Sequence, residues 1–69
     1  MASLMNIGFG NVVNTDKILT IINPDSAPAK RMVQKAKEEE RIVDATQGRR
    51  TKSIILTESG HIILSALQP

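Results

Sequence analysis

Short runs of apolar residues alternate with polar or glycine-containing breaks along most of the chain. The runs are rich in β-branched residues and leucine, which favour strands, and the breaks consist of residues that favour turns. The predicted strands cover 4–7 with a brief continuation at 12–13, and then 18–22, 42–46, 50–57 and 61–67. The turn at 58–60 predicts an antiparallel hairpin between the last two strands.

One segment has the period of a helix instead of a strand. Its apolar residues fall at 29, 32, 33 and 36, which form one stripe along an α-helix. Ser26 is suited to the N-cap position, and Pro28 fits the first turn, where its missing N–H is not needed. The pattern therefore predicts one amphipathic helix over about 27–41. The element order is then ββ-α-βββ, an α+β fold with a small, mostly antiparallel sheet.

The predicted strands are apolar on both faces. Three of them contain adjacent apolar residues, at 18–22, 54–56 and 62–64, and successive strand residues point to opposite sides of a sheet. One helix covers one face, so the other needs either a sheet that folds over or another protein chain. We predict a homo-oligomer, because a monomer that left this surface exposed would carry an apolar patch of interface size. A compact sheet that curls on itself is the alternative.

Length and composition limit the classes of protein that fit. A chain of 69 residues is expected to form a single domain over 1–69, and it has no cysteine for a disulfide or a thiolate metal site. No apolar run approaches the roughly 18 residues of a membrane span. The first residues lack the basic-then-apolar order of a signal peptide. We therefore expect a cytoplasmic protein with no membrane partner.

Few residues could support catalysis. The GFGN segment at 8–11 lacks the complete G-x-G-x-x-G spacing, so a turn between strands is the better interpretation, with Phe9 filling the core or an interface. His61 is the only histidine, and nothing around Ser59 or Asp44 resembles a nucleophile elbow that would complete a triad with it. We expect no enzymatic activity, no small-molecule substrate, no metal and no cofactor.

The most informative segment is 48–52, in which a glycine precedes Arg49, Arg50 and Lys52 at a turn that leads into a strand. Arginine forms paired hydrogen bonds with phosphates and guanine edges, and glycine lets the backbone approach a ligand closely. A charged turn that only improves solubility is an equal alternative. Lys30 and Arg31 belong to a second basic group on the predicted helix, for which an ordinary solvated face is the commoner explanation.

The kind of nucleic acid follows from the aromatic content. Single-stranded binding relies on aromatic side chains on which bases stack, and the chain has one aromatic residue. A nucleic-acid ligand would therefore be duplex, held by arginines through its phosphates.

Four blocks of the sequence occur together in a characteristic order and spacing. They are IGFGN at 7–11, PDSAP with KRM at 24–32, DATQGRRT at 44–51, and HIILS with QP at 61–69. In this combination the chain resembles the RemA family of bacterial regulators of extracellular-matrix (biofilm) genes. The resemblance implies a transcriptional regulator similar to the LytTR type of DNA-binding domain, which assembles into a closed ring. It places the family's DNA-binding arginines on Arg49 and Arg50, and a further basic position on Lys17.

Residues and resemblance together predict a nucleoid-associated regulator of transcription that binds duplex DNA as a ring-shaped homo-oligomer. Arg49 and Arg50 are expected to make the main contacts, with Lys17 and Lys52 assisting. The formal net charge is only +2 for each chain, but a ring repeats it, and linked weak contacts gain affinity. The alternative is a structural homo-oligomeric module whose basic turn binds an acidic protein or a membrane surface.

Overall fold

The computed structural model describes residues 3–68, and its first element is an antiparallel hairpin. β1 (Leu4–Gly8) pairs with β2 (Asn11–Asn14), with a bulge between Asn6 and Gly8. Asn6 Oδ1 accepts a hydrogen bond from the Gly8 N–H at 2.7 Å, and Asn11 Nδ2 donates to the Gly8 carbonyl at 3.2 Å. These side-chain bonds fix the tight turn at the tip of the hairpin.

A 3-10 turn, Thr15–Lys17, leads from the hairpin into a four-stranded sheet. The strands of this sheet are β3 (Ile18–Ile22), β4 (Ile42–Asp44), β5 (Ser53–Thr57) and β6 (Ile62–Ser65). Their spatial order is β3-β5-β6-β4, and β4 with β6 is the parallel pair. The predicted α+β class with a small, mostly antiparallel sheet is therefore confirmed, as is the hairpin between the last two strands.

The predicted element order ββ-α-βββ is wrong by one strand. Three strands precede the helix, because β2 pairs along its whole length through the backbone although only two of its residues are apolar. The strands predicted over 42–46, 50–57 and 61–67 are also shorter than expected. The ladder between β5 and β6 starts where Ser53 faces Ser65, so residues 50–52 lie before the strand.

The helix α1 (Ala27–Glu38) begins where the sequence predicts. Ser26 has extended backbone angles, and its Oγ accepts a hydrogen bond from the Ala29 N–H at 3.2 Å, so Ser26 is the N-cap. Pro28 lies in the first turn, as expected. Among residues 3–68 no helix has both the length and the apolar character needed to cross a membrane.

The helix ends at Glu38, three residues before the predicted boundary near 41. Glu40 has a left-handed φ of 57°, which terminates the helix. Its N–H donates to the Lys37 carbonyl at 3.2 Å, and the Arg41 N–H donates to the Ala36 carbonyl at 2.8 Å. This pair of bonds is the Schellman arrangement that closes helix C-termini, here with glutamate at the position usually held by glycine.

The two faces of the four-stranded sheet are covered by different elements. On one face α1 packs against a cluster of buried and partly buried apolar residues from the sheet. The buried members of this cluster are Ala29, Ala36, Ile54, Ile62 and Leu64. Because the alanine side chains are small, the helix lies close to the sheet. Larger residues of the helix and of the sheet fill the remaining volume.

The β1–β2 hairpin covers the opposite face. Its Ile7 is buried with Ile55 of β5 and with Ala45, and Met5 and Val13 pack against this second cluster. The second apolar face of the sheet is therefore covered by residues of the same chain. This is the fold-over that the sequence analysis gave as the alternative to a partner chain. Large apolar side chains that stay exposed are Leu4, Phe9, Val12, Leu19, Val43 and Leu67.

Candidate nucleic-acid interface

The loop between β4 and β5 is a defined turn built around Asp44 and Thr46. Asp44 Oδ1 accepts hydrogen bonds from the Thr46 N–H at 2.9 Å and from the Thr46 hydroxyl at 2.6 Å. These two bonds, the hydroxyl first, hold the pKa of the Asp44 carboxyl below its usual value, and the nearby charge of Lys37 lowers it further. Thr46 itself is buried, so the start of the turn is fixed to the body of the protein.

Two left-handed residues then reverse the chain. Gln47 and Gly48 have φ values of 51° and 80°, and the Arg49 N–H donates to the Thr46 carbonyl at 3.1 Å. Arg49 and Arg50 follow directly, and both are exposed. The turn is therefore followed by two consecutive arginines whose side chains are exposed to solvent.

The two arginines have different neighbours. The Arg50 Nη2 lies 3.6 Å from the Asp25 Oδ1, with the side chains 79% and 69% exposed, so the ion pair contributes little. Arg49 has no carboxylate within ion-pair distance among residues 3–68. Its guanidinium carbon lies 5.5 Å from the centre of the Phe9 ring, within the range of a cation–π interaction.

Lys52 lies beside Arg50 at the same end of the sheet. Its backbone N–H donates to the Ser65 carbonyl at 2.8 Å, which holds the segment against β6. Arg50, Lys52 and Asp25 border a shallow open groove of about 190 Å³. Two cations and one carboxylate therefore share this surface.

Lys30 extends the basic surface because it lines a second groove next to the first one. Arg31 is exposed but does not line this second groove. Lys30 and Lys37 line this second groove of about 240 Å³ together with Thr51, which stands between Arg50 and Lys52 in the chain. The helix and the arginine turn thus present positive charge to adjoining parts of one surface.

Lys17 lies at the opposite end of the four-stranded sheet. It ends the 3-10 turn before β3, where Ile18 faces Thr57, and its Nζ is 3.8 Å from the Glu58 Oε2. The arginine turn precedes Ser53 at the other end of β5, and five strand residues span roughly 15 Å. A single chain therefore does not bring Lys17 together with the arginines.

Comparison with known proteins places the chain in a family. The family model described as RemA-like, extracellular matrix regulatory protein A-like, matches residues 4–69. The chain belongs to the RemA-like family. The resemblance expected from the sequence is therefore confirmed.

Bacterial relatives agree with this assignment. A protein of Thermotoga maritima is 59% identical over the whole chain, which covers 75% of that protein, and one of Fervidobacterium nodosum is 58% identical, with 74% covered. A protein of Brevibacillus brevis is 56% identical over 96% of the chain and 77% of its own length. All three are provisionally named regulatory proteins, so the names indicate a regulatory protein rather than an enzyme.

Among residues 3–68 the structure of this RemA-like chain does not bring Ser59, His61 and Asp44 together as a triad. His61 Nδ1 and Ser59 Oγ lie 2.9 Å apart in the exposed β5–β6 turn. Asp44 faces Leu64, three positions along the chain from His61, and its carboxylate is bonded to Thr46. Within residues 3–68 no three His, Cys, Asp or Glu side chains cluster as metal ligands.

The sequence does not predict that Phe9 and Asp25 lie beside the arginines. Phe9 is 44% exposed and contacts Arg49, so it does not fill the core of this chain. Asp25 approaches Arg50 from the turn between β3 and α1. Both contacts join residues far apart in the chain, and no local pattern signals such a pair.

Proposed function

We propose that this RemA-like chain is a transcriptional regulator that binds duplex DNA through Arg49 and Arg50. The observation that carries the proposal is the turn itself. A buried threonine and a charged hydrogen-bond acceptor fix its start, and it ends in two exposed guanidinium groups. Arginines on a rigid turn suit phosphates, because their planar donors pair with two oxygens at once.

The character of the surface favours duplex DNA over a single strand. The one aromatic residue is occupied by contact with Arg49, so it offers no free ring on which bases could stack in succession. Lys52 and Lys30 add charge beside the arginines, which suits a backbone that carries regularly spaced phosphates. Lys52 assists the arginines in this proposal, and Lys30 with Arg31 forms the secondary surface.

The proposal includes a closed ring of identical subunits with a LytTR-like fold, located with the nucleoid in the cytoplasm. A ring requires two different surfaces on opposite sides of each subunit. β3 and β4 are the two edges of the four-stranded sheet, and each exposes an apolar side chain, Leu19 at 66% and Val43 at 47%. Lys17, distant from the arginines of its own chain, would contact DNA at a separate phosphate along the ring.

The test is DNA binding by purified protein on AT-rich promoter duplexes, followed by gel shift and by fluorescence anisotropy over a salt series. Arg49→Ala and Arg50→Ala should each abolish retention of the duplex while native mass and folding stay unchanged. The matched control is Lys35→Ala, which removes one exposed charge from the groove that includes Leu19 and His61, away from the arginine turn. It should keep the native mass of the parent and bind DNA nearly as the parent does.

The salt dependence gives a second measure. The slope of log K against log salt should exceed what the few cations of one subunit supply, since about 0.9 counterions are released per phosphate contact. Normal DNA binding by folded, assembled Arg49→Ala and Arg50→Ala variants would show that the site is elsewhere. Binding to anionic vesicles or an acidic protein with no DNA shift would favour the structural module instead.

A further inference from the structure

Phe9 and Arg49 come from different turns that meet at one end of the molecule. Phe9 lies at the tip of the β1–β2 hairpin, and Arg49 follows the turn after β4. The guanidinium carbon of Arg49 is 5.5 Å from the centre of the Phe9 ring. The contact is the single cation–π pair among residues 3–68.

The backbone at Phe9 is unusual for a residue with a side chain. Gly8, Phe9 and Gly10 have φ values of 105°, 55° and 79°, so all three are left-handed. Glycine tolerates this region freely, but a phenylalanine pays for it in steric strain. The two asparagine side chains that bond to Gly8 hold the turn in place.

Burial does not explain why the strained position carries a large apolar ring. Phe9 is 44% exposed and belongs to neither core cluster. The position directs the ring sideways to the neighbouring turn, where it meets the guanidinium of Arg49. The left-handed backbone of Phe9 and the cation–π distance are separate observations, and both concern the ring that lies beside Arg49.

We infer that Phe9 is a positioning residue for Arg49, an inference that rests on the proposed DNA site. The phenyl ring contacts the guanidinium group of Arg49. The N–H donors of Arg49 lie in the plane of the guanidinium group and stay available to a phosphate. An arginine loses much rotamer freedom when it binds, and a side chain already restrained loses less. The ring carries no negative charge, so it restrains Arg49 without competing with the phosphate, in contrast to Asp25 beside Arg50.

The experiment compares Phe9→Leu and Phe9→Trp with the parent chain in the same promoter-duplex assay. Leucine keeps an apolar side chain and carries the same left-handed strain, so it removes mainly the ring face. Phe9→Leu should weaken binding roughly two- to fivefold for each subunit in contact, the usual range of an exposed cation–π pair. Phe9→Trp should bind at least as tightly as the parent, because indole is the best ring for this interaction.

A double-mutant cycle separates positioning from a general structural role. In an Arg49→Ala background, measured by anisotropy at low salt so that the residual binding can be quantified, Phe9→Leu should cause no further loss. In free protein labelled at arginine, the Nε–Hε signal of Arg49 should carry a ring-current shift that disappears in Phe9→Leu. Native mass and Tm of every variant check folding and assembly.

Three results would overturn the inference. They are parent-like DNA binding by Phe9→Leu, an equal loss in the Arg49→Ala background, and an Arg49 signal that does not respond to the ring. These results can occur while Arg49→Ala still abolishes retention in the gel shift and leaves only weak binding at low salt, in which case the proposed function stands and the role of Phe9 is wrong. If Arg49→Ala itself binds normally, the proposed site and this inference fall together.

Discussion

Ser65 joins the hairpin to the four-stranded sheet, and its removal should destabilise the fold measurably. The residue is 1% exposed in β6. Its Oγ donates to the Ile7 carbonyl at 2.7 Å and accepts from the Leu67 N–H at 3.1 Å. Ile7 lies at the bulge of β1, between paired Asn6 and Gly8, so the Ser65 hydroxyl supplies a partner to a backbone group at an irregular point of the ladder.

The magnitude of a Ser65→Ala change follows from those two bonds. The methyl group leaves the Ile7 carbonyl buried without its hydroxyl partner, which costs about 1–3 kcal/mol of unfolding free energy. The Leu67 N–H is only partly buried and can turn to water, so it adds little. At roughly 4–8 °C per kcal/mol for a chain of this size, the Tm should fall by roughly 4–24 °C.

The assay is thermal unfolding followed by circular dichroism, at one fixed protein concentration because self-association would make the Tm concentration-dependent. The matched control is Ser59→Ala, which removes an exposed serine hydroxyl in the β5–β6 turn and should change stability by less than about 0.5 kcal/mol. Hydrogen exchange should speed up in β1 and β2 more than in β5. Equal Tm values for the two variants would refute the role given to Ser65.

Three further perturbations test other parts of the structure. Asp25→Asn should raise DNA affinity at least about twofold, measured by anisotropy, because it frees Arg50 from a competing carboxylate and lowers repulsion with phosphate. Glu40→Gly should raise stability by about 1 kcal/mol in denaturant titration, because glycine adopts the left-handed cap without strain. The lowered pKa of Asp44 stabilises the fold above its unfolded-state pKa of about 3.9, and that contribution is lost as the pH falls through the lower folded-state value.

Each of these expectations has a control within the chain. Glu38→Gln removes one negative charge from the far end of α1. If it raises DNA affinity as much as Asp25→Asn does, the gain comes from the change in net charge and not from the release of Arg50. Glu38→Gly places glycine at the last residue of the helix, where φ is not left-handed, so it should give no gain in stability, in contrast to Glu40→Gly. For the acid dependence, the Tm of Asp44→Asn should fall less than the Tm of the parent between pH 5 and pH 2. Parallel curves of Tm against pH for the two proteins would contradict the pKa argument.

Local signals in the sequence predict the helix start and most of the sheet. Ser26 caps the helix as expected because capping depends on residues three positions apart. The helix end is different, since Glu40 is a good helix former by propensity. The chain must turn there so that Ile42 can pair with Ile62, and this tertiary requirement overrides the local preference.

The residues of the candidate site also divide into those that local sequence predicts and those that only the fold brings together. Arg49 and Arg50 stand out from their own neighbours in the chain, so residue type and the preceding glycine are enough to select them. Phe9 and Asp25 contact the arginines only because the hairpin tip and the β3–α1 turn reach the arginine turn in the fold. The first contact depends on the packing of the hairpin against the four-stranded sheet, and the second depends on the pairing of β3 with β5. A short stretch of sequence contains neither of these long-range relations.

The hairpin also changes the physical argument for self-association. Apolar residues on both faces of the sheet no longer demand a partner chain, because the hairpin buries the second face with Ile7. On the four-stranded sheet, Leu19 and Val43 of the two edge strands stay exposed, and on the hairpin Leu4 and Val12 do. Edge strands left open tend to pair with other chains, and two different open edges lead to head-to-tail contacts that close into rings or continue as filaments. The case for a ring therefore rests on the edges of the sheet rather than on its faces.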